Sequence, residues 1–366
     1  DRRRPRDNRL GTRAPAQVKR AALFVALATA LSFSPAVARA ETGLRVVDRV
    51  MRVTSPHTLR LPFAADHVAL YWVGHRNARV RVAFGDGRLV DAGRDEPGAN
   101  DHGRTFGAII VAPHATRLRI VSNQPIATLH VLAIADPLKA KLKHLLHKAP
   151  APSPTVGHAA RPPILSRAQW GADESLRYSN GKESWPPVFE PAHKLIVHHT
   201  DTANDDPNPA STVRAIYYFH AVTRGWGDIG YNFLIDASGR IYKGRNSHGA
   251  DGNDTITGED ARGYGVIGAH AKGYNAGSVG VSLLGTLDTQ DATPAQKNAL
   301  EDLLAWEADA HGIAPHGDDV YTSPIDGQQR TFPNIAGHRD VGDTDCPGGV
   351  FYATLPAVRD AVAARM

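Results

Sequence analysis

Two histidine segments and the chain's single cysteine hold residue types that ligate a transition metal. Val197-His198-His199-Thr200 ends an apolar run, and Gly337-His338-Arg339-Asp340 is followed by Asp345-Cys346-Pro347, with Cys346 eight residues after His338. Zinc favours imidazole nitrogen and thiolate sulfur, and catalytic zinc takes three protein ligands with one position open to water. A His/His/Cys set drawn from these segments meets that rule, with His199 an alternative to its neighbour His198. The spacing alone also arises by chance, so the surroundings of these residues must decide.

Cys346 is the only cysteine among 366 residues. The first forty residues carry an Arg-rich stretch, an apolar run from Ala21 to Phe33, and Ala38-Arg39-Ala40. Positive region, short apolar region and small-residue site predict a secretory signal peptide over 1–40. The apolar run is too short to span a bilayer, and no second hydrophobic span follows, so a secreted protein is expected. A lone exported cysteine forms no internal disulfide. Metal ligation, nucleophilic chemistry, or burial as a small inert hydrophobe are the uses left to it. Residues 1–40 hold 9 Lys/Arg and 2 Asp/Glu, a net +7 against +5 for the whole chain, which leaves residues 41–366 at −2. The positive charge therefore belongs to the leader and does not point to nucleic acid.

The elements that must position these residues lie in the second half. Between Leu44 and Ala135 short alternating segments, such as Ala78 to Phe84 and Ile126 to Ile134, predict antiparallel strands in a small all-β sandwich or barrel over 41–136. Its histidines (57, 67, 75, 102, 114 and 130) are scattered and read as surface or strand residues. Residues 137–163, Lys-rich and then Pro-rich, read as an extended linker. From Ile164 onward strands and helices mix, placing 164–366 in the α/β (α+β) class. Lys194 to His199 reads as a buried strand, Ser211 to Val222 as a helix, and Tyr231 to Ile235 with Arg240 to Tyr242 as a hairpin. Val279 to Leu284 is another strand. A helix starts at Thr293-Pro294 with Gln296 at the capping-box position and ends near Gly312. A closing helix spans Ala353 to Met366.

Several segments recur together in one family. They are Ser166 to Ala172 (SRAQWGA), Val197 to Thr200, Gly225 to Phe233 (GWGDIGYNF), His270 to Asn275 (HAKGYN), Ser278 to Val281, and Gly337 to Asp340 with Cys346-Pro347-Gly348. In this order they resemble the peptidoglycan recognition protein and type 2 N-acetylmuramoyl-L-alanine amidase family, which includes amidase-type phage lysozymes. The resemblance runs from Ile164 to the C terminus and leaves 41–163 outside it. It implies a mixed central sheet packed by helices, with one zinc ion per chain held by His198, His338 and Cys346. Tyr231 matches the family's catalytic tyrosine. Thr344 stands where phage enzymes carry lysine and where catalytic recognition proteins carry threonine. His270, Lys272 and Asn275 fall in a loop that the family places along its substrate groove.

The implied reaction is hydrolysis of the amide between N-acetylmuramic acid and the first L-alanine of the stem peptide in bacterial peptidoglycan. Zinc suits it by lowering the pKa of water and polarising a carbonyl. Tyr231 and Thr344 supply hydrogen bonds at the reacting carbonyl, and Arg245 is placed to meet a stem-peptide carboxylate. Asp228, Arg339 and Asp340 read as structural partners of the site, and Trp170 and Trp226 as core. The stretch from Asn246 to Gly265 reads as a loop beside the site. Two rivals stand beside the amidase: a module that binds peptidoglycan without cutting it, and a hydrolase using Cys346 as nucleophile.

Overall fold

Period-two alternation between Arg45 and Ala135 is realised as seven strands: β1 (Arg45–Val53), β2 (His57–Val73), β3 (Val80–Ala83), β4 (Leu89–Asp91), β5 (Arg104–Phe106), β6 (Ile110–Ser122) and β7 (Ile126–Ala135). The structure, a computed structural model, describes residues 43–85, 87–93, 103–139, 159–247 and 255–366. The expected signal peptide over 1–40, residues 140–158 of the expected linker and residues 248–254 of the expected loop lie outside the described residues.

The seven strands form one antiparallel sheet in the order β1-β7-β2-β6-β3-β4, with β5 paired to the end of β2. Alternation predicts a sandwich or barrel. The described strands follow a single path whose ends, β1 and β4, do not pair, which excludes a closed barrel among them and leaves the sandwich. β2 is buried continuously from Ala65 to Leu70 because each of its faces has its own partner. Val68, Leu70 and Trp72 join Leu129 and Val131 in the sheet's own core. Ala69, Leu132, Ile134 and Phe106 pack with Trp170, Val213, Ile216 and Phe219 from the second half. Residues 40–366 thus form one compact unit, and the connector joins two parts that already share a core.

The second half is built on β8 (Ile164–Leu165), β9 (Lys194–His199), β10 (Phe233–Ile235), β11 (Ile241–Lys243), β12 (Ser278–Leu283) and β13 (Ile335–Gly337). They make a mixed sheet in the order β13-β9-β12-β10-β11-β8. β9 runs parallel to both β12 and β13, and β10 with β11 is the expected antiparallel hairpin. Helices α1 (Pro209–Tyr218), α2 (Pro294–His311) and α3 (Leu355–Ala363) cover it. Leu300, Leu303 and Leu304 of α2 and Val358 and Val362 of α3 pack on one face. Val213, Ile216 and Tyr217 of α1 pack on the other.

Thr293 caps α2, accepting from the Gln296 backbone N–H at 3.1 Å, and Gly312 ends it at φ 65°, a conformation that favours glycine. The Gln296 side chain departs from the capping-box expectation. Its amide donates to the Ile235 and Leu284 carbonyls at 2.9 and 3.0 Å, tying the helix to the ends of β10 and β12. α1 is shorter than the expected 211–222 and continues as a π turn, Phe219–Thr223, an irregularity common at functional sites.

Two buried polar contacts lock α1 to the N-terminal sheet. Arg214 donates to Asp136 from Nε at 2.9 Å and to the Trp170 carbonyl from Nη1 at 2.5 Å. Thr212 gives its proton to Asp206 at 2.5 Å, so His67 Nε2, 2.8 Å from the Thr212 hydroxyl, is the donor between them. His67 is therefore held as one neutral tautomer. A third network lies beside β11. Asp228 is shared by Arg167 Nη1 at 3.0 Å and Arg245 Nη1 at 2.8 Å. Burial opposes ionisation of Asp228, but the two guanidinium groups outweigh it and hold the carboxyl below its usual range.

That network corrects the expectation for Arg245. Its guanidinium has no exposed surface, and it is further tied to the Trp185 carbonyl at 2.8 Å while stacking 3.7 Å from the Trp185 ring. It is a framework cation, not a groove residue. Arg245→Ala strands Asp228 half-paired and should cost about 3–5 kcal/mol in urea unfolding; an unfolding midpoint unchanged from wild type would contradict this assignment.

His67 generates a pH prediction. Burial drives its pKa down to about 4, against the opposing pull of Asp66 and Asp136, while Arg214 and Lys139 add to the depression. The unfolded imidazole titrates near 6.5. The folded value lies below the unfolded one, so the stability tied to the neutral ring is complete above pH 6.5 and is lost as pH falls towards 4. The wild type should lose on the order of 3 kcal/mol more than His67→Gln across that window. Parallel pH–stability curves for the two proteins would show that His67 is not the group titrating.

Candidate metal centre

β9 and β13 lie side by side in parallel, with Val197 paired to Gly337. The next residues, His198 and His338, therefore stand together where both strands end, and their ring centroids are 4.4 Å apart. Carboxyl ends of parallel strands are where open sheets gather their ligands. Strand alternation separates the histidine pair: His198 lies on the face of Ile196, and His199 on the face of Leu195 and Val197. His199 Nδ1 accepts from the Leu287 backbone N–H at 3.1 Å, away from His338.

Cys346 reaches the same point through the loop that leaves His338. Arg339 closes that loop: its backbone N–H donates to the Cys346 carbonyl at 2.9 Å, and its guanidinium reaches the Asp345 carbonyl. Asp340 accepts from the Gly337 backbone N–H at 2.8 Å and from the Tyr352 hydroxyl at 2.5 Å. Both residues thus hold the loop, as expected of structural partners. Thr344 Oγ1 accepts from the Cys346 backbone N–H at 3.2 Å. The Cys346 sulfur is buried, accepts from the His199 backbone N–H at 3.3 Å, and lies 3.8 Å from His198 Nδ1. Arg330, which sequence reasoning missed, braces the loop from outside by donating to the Asp340 and Val341 carbonyls at 2.5 and 3.3 Å.

A chain of hydrogen bonds fixes which nitrogen of His198 faces the sulfur. Ser278 Oγ donates to the Tyr274 carbonyl, so it accepts from His270 Nε2 at 3.5 Å. His270 Nδ1 then carries the lone pair and accepts from His198 Nε2 at 3.1 Å. His198 Nδ1 is left with its lone pair directed at the cluster. Burial first, and then the neighbouring His338, His270 and His199, push the His198 pKa well below its ordinary value. Burial, with His338, takes His270 to about 3. Both rings are neutral at physiological pH, the form in which imidazole ligates metal.

This corrects the placing of His270 and Asn275 along the groove. His270 is buried beneath His198, with the rings 80° apart. Gly280 makes room for it: a Cβ there would stand 2.3 Å from His270 Cγ. A glycine inside a strand signals such close approach, so this part was readable. The Asn275 side-chain oxygen is used within the loop, accepting from the His270 and Ala271 backbone N–H groups at 2.8 Å each. Lys272 alone of the three is exposed. It lines a cavity of about 360 Å³ with Tyr274, Tyr321 and Arg330.

Tyr231 packs its ring 5.5 Å from His198 and 5.6 Å from His220. Gly230 before it lets the backbone close on Ala269, whose carbonyl would lie 2.4 Å from any Cβ. Trp170 is core as expected, and Trp226 is half-buried against His220 at 4.7 Å.

A nitrogen of His198, a nitrogen of His338 and the sulfur of Cys346 belong to one group whose ligand atoms all lie within 4.8 Å of one another. Two imidazoles and one thiol are a donor set suited to a tetrahedral ion with an open position. His199, Asp201 and Asp288 form a second such group. There Nδ1 already accepts a backbone N–H, so the other nitrogen of neutral His199 carries the proton and offers no lone pair to an ion.

A sequence profile for N-acetylmuramoyl-L-alanine amidases matches residues 189–349. Peptidoglycan-recognition protein LB of Drosophila melanogaster is 32% identical over 197 residues, 52% of this chain and 67% of that protein. Peptidoglycan-recognition protein SC2 of the same organism is 32% identical over 188 residues, covering 50% and 80%. An N-acetylmuramoyl-L-alanine amidase of Homo sapiens is 28% identical, covering 53% of this chain and 28% of its own. A solved structure of Drosophila PGRP-LB aligns with 53% of this chain and 92% of its own at 29% identity, with a TM-score of 0.37. On these sequence relationships the chain belongs to the family of peptidoglycan recognition proteins and type 2 N-acetylmuramoyl-L-alanine amidases.

Proposed function

We propose that this chain is an exported zinc-dependent N-acetylmuramoyl-L-alanine amidase that separates the stem peptide from N-acetylmuramic acid in bacterial peptidoglycan. The observation that carries the reading is the convergence of His198, His338 and Cys346, with Tyr231 packed against the first of them. A module that only binds the polymer has no need of that donor set. Among the described residues no helix is long and apolar enough to cross a membrane, in keeping with work outside the cell once a leader is removed.

Zinc held by these three residues would lower the pKa of a water molecule beside it and polarise the amide carbonyl. The chain's own residues do the rest. His270 and Ser278 keep His198 in the tautomer that presents Nδ1. Tyr231 donates its hydroxyl proton to the developing oxyanion, and Thr344, its oxygen fixed by the Cys346 N–H, keeps its own proton for a second bond. Burial of the Cys346 sulfur among His198 and the His199 backbone favours a ligand over a nucleophile, which needs an open approach and an activating base.

Purified protein should contain about one zinc per chain, and EDTA should abolish release of stem peptides from purified sacculi, with activity returning on addition of zinc. Cys346→Ser should lose most of the metal. Activity that survives EDTA but dies on alkylation would instead establish a thiol nucleophile. Tyr231→Phe, which keeps the ring, should retain zinc while kcat falls by roughly a hundredfold; wild-type kcat in that variant would remove the tyrosine from the chemistry.

A further inference from the structure

We propose that the N-terminal β-sheet is a positioning part of the catalytic groove, acting through Phe106 on the turn that carries His220 and so on Tyr231. The inference rests on the amidase reading above and assigns a role to the part of the chain that lies before it.

Phe106 ends β5 and is fully buried. Its ring meets Phe219 edge to face at 5.7 Å and 82°. The Arg224 guanidinium lies between two rings, 4.7 Å over Phe106 and 4.4 Å over Trp226. Trp226 packs 4.7 Å from His220, His220 packs 5.6 Å from Tyr231, and Tyr231 packs 5.5 Å from His198. The path from the N-terminal sheet to the metal cluster is therefore made of side chains in contact.

The segment that this path crosses is weakly determined by local forces. It is a π turn followed by Gly225 at φ 76° and Gly227 at φ 88°, conformations of low intrinsic preference. Its internal bonds, from Trp226 N–H to the His220 carbonyl at 3.1 Å and from Gly230 N–H to His220 Nδ1 at 3.2 Å, hold its two ends to each other. The Phe106, Phe219 and Arg224 contact holds the turn against the sheet. Phe106 is in turn fixed by its pairing with Tyr71, whose ring stacks on it at 5.3 Å. A separately tethered wall-binding module would not bury its own strand residues in the core behind the catalytic tyrosine.

The test uses the full chain loaded with zinc and a soluble N-acetylmuramoyl peptide, with kcat, KM, zinc content and thermal unfolding measured for each variant. Phe106→Ala should lower kcat roughly tenfold to a hundredfold at unchanged KM and zinc content. Val82→Ala, which empties volume in the sheet's own core, should lose stability yet keep wild-type kcat. If Phe106 acts through Tyr231, the effects must not add: in a Tyr231→Phe background Phe106→Ala should cost no more than about twofold. Arg224→Gln leaves the shared core intact and should repeat the kcat loss, so it carries the test if Phe106→Ala does not fold. Wild-type kcat in the folded Phe106 and Arg224 variants, or a loss of equal size in the Tyr231→Phe background, would overturn the inference while leaving the amidase reading in place. Wild-type protein that binds zinc and polymer but releases no peptide would overturn both.

Discussion

A strand that ends in two histidines presents one to each face, and a slip of one residue exchanges them. The candidate centre therefore depends on the register of β9. Lys194, at the start of the strand, pins it. Its buried ammonium donates to the Asp319 and Phe332 carbonyls and the Asn334 side chain at 2.7, 2.6 and 2.7 Å. Desolvating that charge is expensive, and it lowers the lysine's pKa; three oxygens in fixed positions offset the cost only if the strand starts there. From that anchor Leu195 and Val197 enter one core cluster and Ile196 another, so any other register would misplace apolar as well as polar residues. His198 then arrives beside His338, and His199 beside the Leu287 backbone.

Register places the rings, but three imidazoles close together need directions as well. Their mutual repulsion when protonated, added to burial, keeps His198 and His270 neutral. A neutral imidazole has one donor and one acceptor, and only one assignment serves an ion. The Tyr274 carbonyl makes that choice at a distance, because it cannot donate and so sets Ser278, His270 and His198 in sequence. A peptide oxygen at the far end of the HAKGYN segment thus determines which nitrogen His198 offers beside Cys346.

Much of this was legible in the sequence because it follows from period and punctuation. β9, the β10–β11 hairpin and the capped, glycine-terminated α2 were readable from alternation and turn residues, whereas residue types left His198 and His199 open and only the family resemblance chose between them. Arg245 and His270 were not, because polarity in a sequence reads as exposure, whereas Asp228 and His198 give these side chains buried partners. The early end of α1 was hidden because apolar spacing persists through Phe219 and His220 while the backbone widens into a π turn. His67 was missed for the same reason as Arg245: its partner, Thr212, is 145 residues away.

The N-terminal sheet shows how far a long-range partner can change the meaning of a local pattern. Alternation within β2 and β7 correctly gives two faces, but a sequence cannot say what covers each. A sheet with one solvated face would carry polar residues at Ala69, Leu132 and Ile134; these are apolar and buried against α1 and Trp170. The polar exceptions on that face, His67 and Asp136, are matched by Thr212 and Arg214. Apolar surface and buried polar groups both need this one docking, since undocked, the sheet would expose the first and leave the second half-paired. The apolar face and the buried polar groups that make this docking are supplied by the chain's first half. That half covers α1 and the π turn through Ala69, Leu132, Ile134 and Phe106.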